Sequence, residues 1–219
     1  MLSSMSRSLR YLLSGVLVLW FAVLCAPQLL AWPDSIRIGQ TRIYAEEPIA
    51  PKIRSILARS DALLKSSTIY SDGDGWRIFL TNGGWRWRLL SFPGGGAFAY
   101  SKPLTEAIIV NRNSIAKDLA WNGQTFGGQR TLSGVIAHER THGLIRSHFG
   151  LLAATRFPTW KVEGYCDHVA GESSLTQADY AKLMRTGTRH PAIVFFEGRR
   201  KVARILLSNG QSADALFRQ

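Results

Sequence analysis

The sequence predicts an α+β domain carried behind one N-terminal transmembrane helix. Three observations predict it. Strand-like runs come early and helix-like runs late. The residues from Tyr11 to Trp32 contain no charge, a length that suits one membrane-spanning helix. What remains of the 219 residues is enough for one hydrophobic core and hardly for two. With 46% hydrophobic and 19% charged residues, the composition excludes a disordered chain.

Residues 1–33 therefore form an N-terminal anchor or signal segment, and residues 34–219 a single domain. Arg7 and Arg10 precede the apolar run, which predicts a cytoplasmic N-terminus and a domain on the far side of the membrane. A retained anchor is favoured over a cleaved signal, because Leu24, Cys25, Ala26 and Pro27 make a poor small-residue cleavage pattern. Leu24 also makes a poor lipoprotein site of Cys25. The domain is expected to face the periplasm or exterior, or to be secreted if cleavage occurs.

Net charge is +12; Arg7 and Arg10 carry the only charges before Asp34, which leaves +10 on the exported part. Such a surface suits an anionic lipid or an acidic partner. Export and the lack of any nucleic-acid motif argue against nucleic acid. The two cysteines, Cys25 and Cys166, cannot pair within a domain, so no disulfide framework is expected.

Along the domain, IRIGQTRIYA alternates like a strand. Ile53, Ile56, Leu57, Leu63 and Leu64 then recur at helical spacing. Asp72–Gly75, DGDG, reads as a turn before a strand Trp76–Leu80, since a calcium loop needs more ligands and a closing glutamate. Trp85 and Trp87 lie among arginines and are expected to pack on the domain or near a membrane surface. Ala97–Tyr100 reads as a short extended segment, Ala107–Asn111 as a buried strand and WNGQTFGGQR as a loop. Four helices follow. One starts near Thr131 or Leu132, one after Pro158, one after the N-cap Thr176, and one runs from Pro191 to Gly210.

The first of these helices carries His138-Glu139-Arg140-Thr141-His142, the pattern HExxH. On a helix the two histidines lie one turn apart on one face, where both imidazoles reach one metal ion. Glu139 is rotated about a quarter turn and can face a metal-bound water without binding the metal itself. Two nitrogen ligands, an open position and a base are what a metal-assisted hydrolase needs.

Two residues compete for the third ligand position. His148 follows His142 by six residues, but on a continuing helix it points about 240° away. Glu163 lies on what reads as the next helix, with Asp167 four residues on along the same face. One carboxylate can bind zinc while the other accepts the second N–H of a ligand histidine. Cys166, between them, reads as core.

VIAHERTHGLIRSHFGL followed by VEGYCDHVAG resembles the thermolysin-like, or gluzincin, zinc metallopeptidases, which use HExxH, a downstream glutamate and an aspartate four residues beyond it. GAFAY and the strand AIIVN resemble their edge strand and the inner strand before the zinc helix. The likeness runs roughly from Gly94 to Gly171, about a third of the chain. It implies a small mixed sheet whose edge strand overlies a zinc cleft, packed on the HExxH helix and a helical subdomain. It implies that His138, His142 and Glu163 bind Zn2+, that Glu139 activates a zinc-bound water and that Asp167 orients His138. The backbone of Ala97, Phe98 and Ala99 would hold a peptide or protein substrate by strand addition. The chain departs from the family in two respects. The helical region is short, and no residue clearly matches the family's oxyanion donor; Tyr165, His168, Tyr180, His190 and Arg199 are the candidates. The expectation is thus a membrane-anchored zinc peptidase. The competing expectation is a catalytically idle metal-binding domain that holds an envelope protein or peptide.

Overall fold

The computed structural model describes residues 6–72, 75–92 and 95–218. Ser6 caps helix α1 (Arg7–Cys25) by accepting from the Leu9 amide. Nineteen residues rise about 28 Å, close to the hydrocarbon thickness of a bilayer. This helix is long and apolar enough to cross a membrane or to be a signal sequence. The charge-free stretch up to Trp32 is not all helix, however. Pro27 starts a separate 3-10 turn, Pro27–Leu30, and Trp32 folds back onto Phe79 with ring centroids 5.2 Å apart.

Strands β1 (Asp34–Ile38) and β2 (Thr41–Ala45) form an antiparallel hairpin. The alternation that reads as one strand is broken at Gly39, whose φ of 57° turns the chain. Helix α2 (Ile53–Leu64) follows, then β3 (Arg77–Leu80). Gly73 and Asp74 of the expected DGDG turn lie outside the described residues. Trp85–Ser91 forms helix α3, with Trp87 buried and Trp85 exposed. Strand β4 (Ala99–Ser101) is the short extended segment, starting two residues later and ending one later than read, and β5 (Ala107–Val110) is the buried one.

The five strands make one mixed sheet in the order β1-β2-β3-β5-β4, parallel at β2-β3-β5 and antiparallel at both ends. A second, three-stranded antiparallel sheet comprises β6 (Arg112–Ser114), β7 (Leu119–Trp121) and β8 (Gln129–Thr131). The stretch expected to be one loop thus ends in paired strands.

Thr131 caps helix α4 (Leu132–Phe149), its hydroxyl accepting from the Gly134 amide. The short α5 (Leu151–Ala154) leads to α6 (Thr159–Val169), and Thr176 caps α7 (Gln177–Thr186). The chain closes with α8 (Ala192–Ser208) and α9 (Ala213–Arg218).

Strands β3 and β5 are apolar without alternation because both of their faces are covered. Ile78, Leu80, Ile108 and Val110 pack against Ile56 of α2 and Val135 and Ile136 of α4. Phe79, Ala107 and Ile109 face the other way, onto Trp87 and Leu90 of α3 and Val23 of α1. A separate helical core joins Leu144 and Ile145 of α4 to Tyr165 and Val169 of α6, Val202 and Leu206 of α8, and Phe217 of α9. Two glycines set its tightest crossing. A Cβ on Gly164 would lie 2.5 Å from the Gly198 carbonyl carbon, and one on Gly198 would lie 2.5 Å from the Trp160 oxygen. Helix α6 is thereby pressed against α8 at the level of Glu163.

Candidate metal centre

Helix α4 is wedged between the two cores. Leu132, Val135 and Ile136 commit one side to the sheet, and Ala137, Leu144 and Ile145 commit another to the helices. The strip left between them carries His138, Glu139 and His142, which line a cleft of about 580 Å³. Strand β4 forms one wall, the β7–β8 loop overhangs it with Phe126, and the start of α8 closes it with His190 nearby.

The two imidazoles stand with ring centroids 5.0 Å apart. Both turn Nε2 toward Glu163 of α6: His138 Nε2 is 3.2 Å from Oε2 and His142 Nε2 is 3.6 Å from Oε1. A tetrahedral zinc with its usual nitrogen and oxygen bond lengths separates such ligand atoms by about 3.4 Å. Each separation, one to each carboxylate oxygen, lies near that value, so the three side chains could hold a metal ion between them.

Asp167, one helical turn beyond Glu163, lies behind His138. Its Oδ1 is 2.8 Å from His138 Nδ1 and accepts from Arg130 Nη1 at 2.9 Å, while Oδ2 accepts from the Ser173 hydroxyl. Arg130 also reaches Glu172, at 3.2 Å. Burial opposes charge on His138, but the hydrogen bonds to Asp167 and Glu163 outweigh it and raise its pKa to about 10. Burial likewise opposes the Asp167 carboxylate, and Arg130 and His138 outweigh it, lowering its pKa to about 2. Burial lowers the pKa of His142, which favours the neutral imidazole a metal requires. Glu163 is held below its ordinary value by the two histidines despite its burial.

Glu139 is 7% exposed and borders the cleft, and among the described residues it has no hydrogen-bond or ion-pair partner.

Cys166 enters the site from the other side. One donor atom each from His138, His142 and Cys166 lie within 4.8 Å of one another, a group that could hold a metal. Glu163 borders the cleft, whereas Cys166 is wholly buried in the helical core. Burial and the nearby carboxylates of Glu163, Glu139 and Asp167 push the thiol well above its ordinary pKa, against the thiolate a metal needs.

On the edge strand, the Phe98 carbonyl accepts from the Asn111 amide and the Ala97 carbonyl from Asn111 Nδ2. Of Ala97, Phe98 and Ala99, the residue whose backbone faces away from β5 is Ala99. Ladder alternation from the Phe98–Asn111 pair turns the N–H and C=O of Ala99 and Ser101 to the open edge.

The remaining candidates separate cleanly. His148 is exposed beside Asp214, its Nε2 3.0 Å from Oδ1 and away from the cleft. Tyr165 is buried, its hydroxyl 2.8 Å from that of Ser67. The Tyr180 hydroxyl donates to Glu197, and Arg199 donates to the Gly171 carbonyl. Among the five oxyanion candidates His190 borders the cleft. Its Nδ1 accepts from the Ala192 amide at 3.3 Å, which leaves Nε2 to carry the proton. Arg130 and Ser173 were not legible as site residues, since no spacing rule ties an arginine to an aspartate 37 residues on. No family model, no curated protein and no solved structure matches this chain.

Proposed function

We propose that the chain is a zinc-dependent peptidase of the gluzincin kind, exported and held at a membrane by α1, that hydrolyses a peptide or protein laid along β4. The observation that carries this reading is the convergence of His138, His142 and Glu163 in one cleft, with each imidazole Nε2 within 3.6 Å of a Glu163 oxygen. The partnerless Glu139 in the same cleft supports hydrolysis over mere metal storage.

A zinc ion bound there would acidify a water and polarise a carbonyl. The chain supplies the rest. With the ion bound, Asp167 would keep the Nδ1 proton of His138 and leave Nε2 to the metal. Glu139 takes a proton from the attacking water and returns it to the leaving amine. Ala99 and Ser101 offer backbone groups to an extended substrate, which fixes the scissile carbonyl beside Glu139. His190 donates from Nε2 to the developing oxyanion. The domain faces the periplasm or exterior, and its +10 charge favours anionic lipid or an acidic partner over nucleic acid.

The test combines metal content and hydrolysis. Full-length protein should hold near one zinc per chain, and His142→Ala and Glu163→Ala should lose it. Glu139→Gln should keep the zinc and the fold while hydrolysis of a mixed peptide library falls by about 100-fold or more. Zinc without hydrolysis in the native chain would instead favour the idle binding domain, and folded protein that takes up no zinc would sink both.

A further inference from the structure

The residues around the exit of α1 form a patch that does not serve the cleft. Phe92 is 67% exposed and packs edge-on against Trp20, with ring centroids 6.4 Å apart. Trp20 lies five residues before the end of α1, about 7.5 Å down the helix. If α1 spans a bilayer, Phe92 reaches below the plane where that helix emerges. Three more exposed apolar side chains ring the same exit: Leu29, Trp85 and Leu104, at 60%, 56% and 79%. Their placement is fixed by hydrogen bonds. Arg77 joins Gln28 beside Leu29 to the Thr105 carbonyl beside Leu104. Arg86 donates to the Leu30 and Ala31 carbonyls and lies over the Trp85 ring at 4.6 Å. Arg88, exposed on the same short helix α3, adds a cation suited to anionic headgroups.

Aromatic side chains flanked by arginines, at the end of a membrane span, are what the headgroup region of a bilayer accommodates. A soluble face would not leave four large apolar groups together around one apolar helix. We propose that the domain is seated directly on the bilayer, with Leu29, Trp85, Phe92 and Leu104 inserted in its interfacial layer. The consequence reaches the cleft. Ala97 packs in the same cluster as Val23 and Leu24 of α1 and also lines the cleft beside β4. Seating the patch therefore puts the cleft at the membrane surface, open to a polypeptide running along or out of the bilayer. The seating rests on α1 being retained as an anchor, and on neither zinc nor hydrolysis.

The experiment uses the full chain with Cys25→Ser, reconstituted in vesicles of phosphatidylcholine and phosphatidylglycerol. Single cysteines replace Trp85, Phe92 or Leu104, with Met184→Cys on exposed α7 as the distant control, and each carries a nitrobenzoxadiazole fluorophore. Cys166, fully buried, stays unlabelled in folded protein. Labels at 85, 92 and 104 should be reduced by external dithionite several-fold more slowly than the label at 184, and nitroxide-bearing lipids should quench them selectively. Equal reduction at all four positions, or equal quenching, overturns the seating. Because the readout needs no substrate, it stands or falls apart from the peptidase reading.

Discussion

Asp167 Oδ1 stands 2.8 Å from His138 Nδ1, in a site where the carboxylate is 1% exposed. The same oxygen accepts from Arg130. One buried group thus does two things: it holds the Nδ1 side of His138, whose Nε2 faces Glu163, and it neutralises a buried guanidinium.

Replacing Asp167 should separate these effects. Asp167→Asn keeps an acceptor for His138 but removes the charge, and zinc affinity, read by chelator competition, should fall by about 10- to 100-fold. Asp167→Ala leaves Arg130 with Glu172 as its remaining ion-pair partner, and should cost about 3 kcal/mol in denaturant unfolding of metal-free protein. Wild-type zinc affinity in Asp167→Asn would mean that the negative charge behind His138 has no part in holding a metal.

The metal-free protein should also lose stability in acid through this residue. The carboxyl has its pKa lowered from 3.8 to about 2 in the fold. A depressed carboxylate stabilises the folded state fully above its unfolded value, and that contribution is lost as pH falls through the folded one. The window is therefore from 3.8 down to about 2, and the contribution is roughly 2 kcal/mol. Unfolding free energies measured across that window should be flatter in Asp167→Asn by this amount. His138, raised to about 10, reports the same bond from the other side, so the two shifts are not added.

Much of this was legible in the sequence, because it follows local periodicity. The four-residue spacings of His138–His142 and Glu163–Asp167 each place two groups on one helix face. Thr131 and Thr176 announced their helices by capping chemistry. The apolar runs Ile78–Leu80 and Ala107–Val110 marked two strands, the second of them as buried. What was illegible depends on contacts distant in sequence. Strands β6, β7 and β8 have three residues each, too few to display a period, and exist because they pair. Helix α3 begins in a run of tryptophan and arginine whose pattern fits a strand equally well. Arg130 acquires its role only when α6 comes to lie beside α4. The outward turn of Ala99 and Ser101 hangs on the side-chain and backbone bonds of Asn111, which no pattern reveals.

The crossing of α6 and α8 gives a stability prediction that bears on the site. A methyl group at Gly164 would fall 2.5 Å from the backbone of Gly198, and backbone cannot step aside as a side chain can. Gly164→Ala should therefore push the helices apart and destabilise the domain by about 1–3 kcal/mol, despite the higher helix propensity of alanine. Glu163 is the neighbouring residue, so zinc affinity should weaken as well. A thermal midpoint equal to that of the native chain would show that the two helices are not held in this close crossing.

The last prediction concerns which side chain completes the metal site. Glu163 and Cys166 lie three residues apart on α6, and each is near both histidines. The carboxylate is already ionised by its neighbours, whereas the thiol would have to lose a proton in fully buried surroundings among three carboxylates. A metal could itself draw that proton off, so metal content must decide. Glu163→Ala should abolish stoichiometric zinc, and Cys166→Ala should retain it at some cost in core packing, since it empties only the space of a sulfur. Cobalt substitution gives an independent readout, because a thiolate ligand adds a sulfur-to-metal charge-transfer band that a carboxylate does not. Such a band in the native chain, lost in Cys166→Ala, would transfer the third position to the cysteine. Its absence, with zinc lost only in Glu163→Ala, would fix a site of two histidines and one glutamate, with Glu139 left as the base.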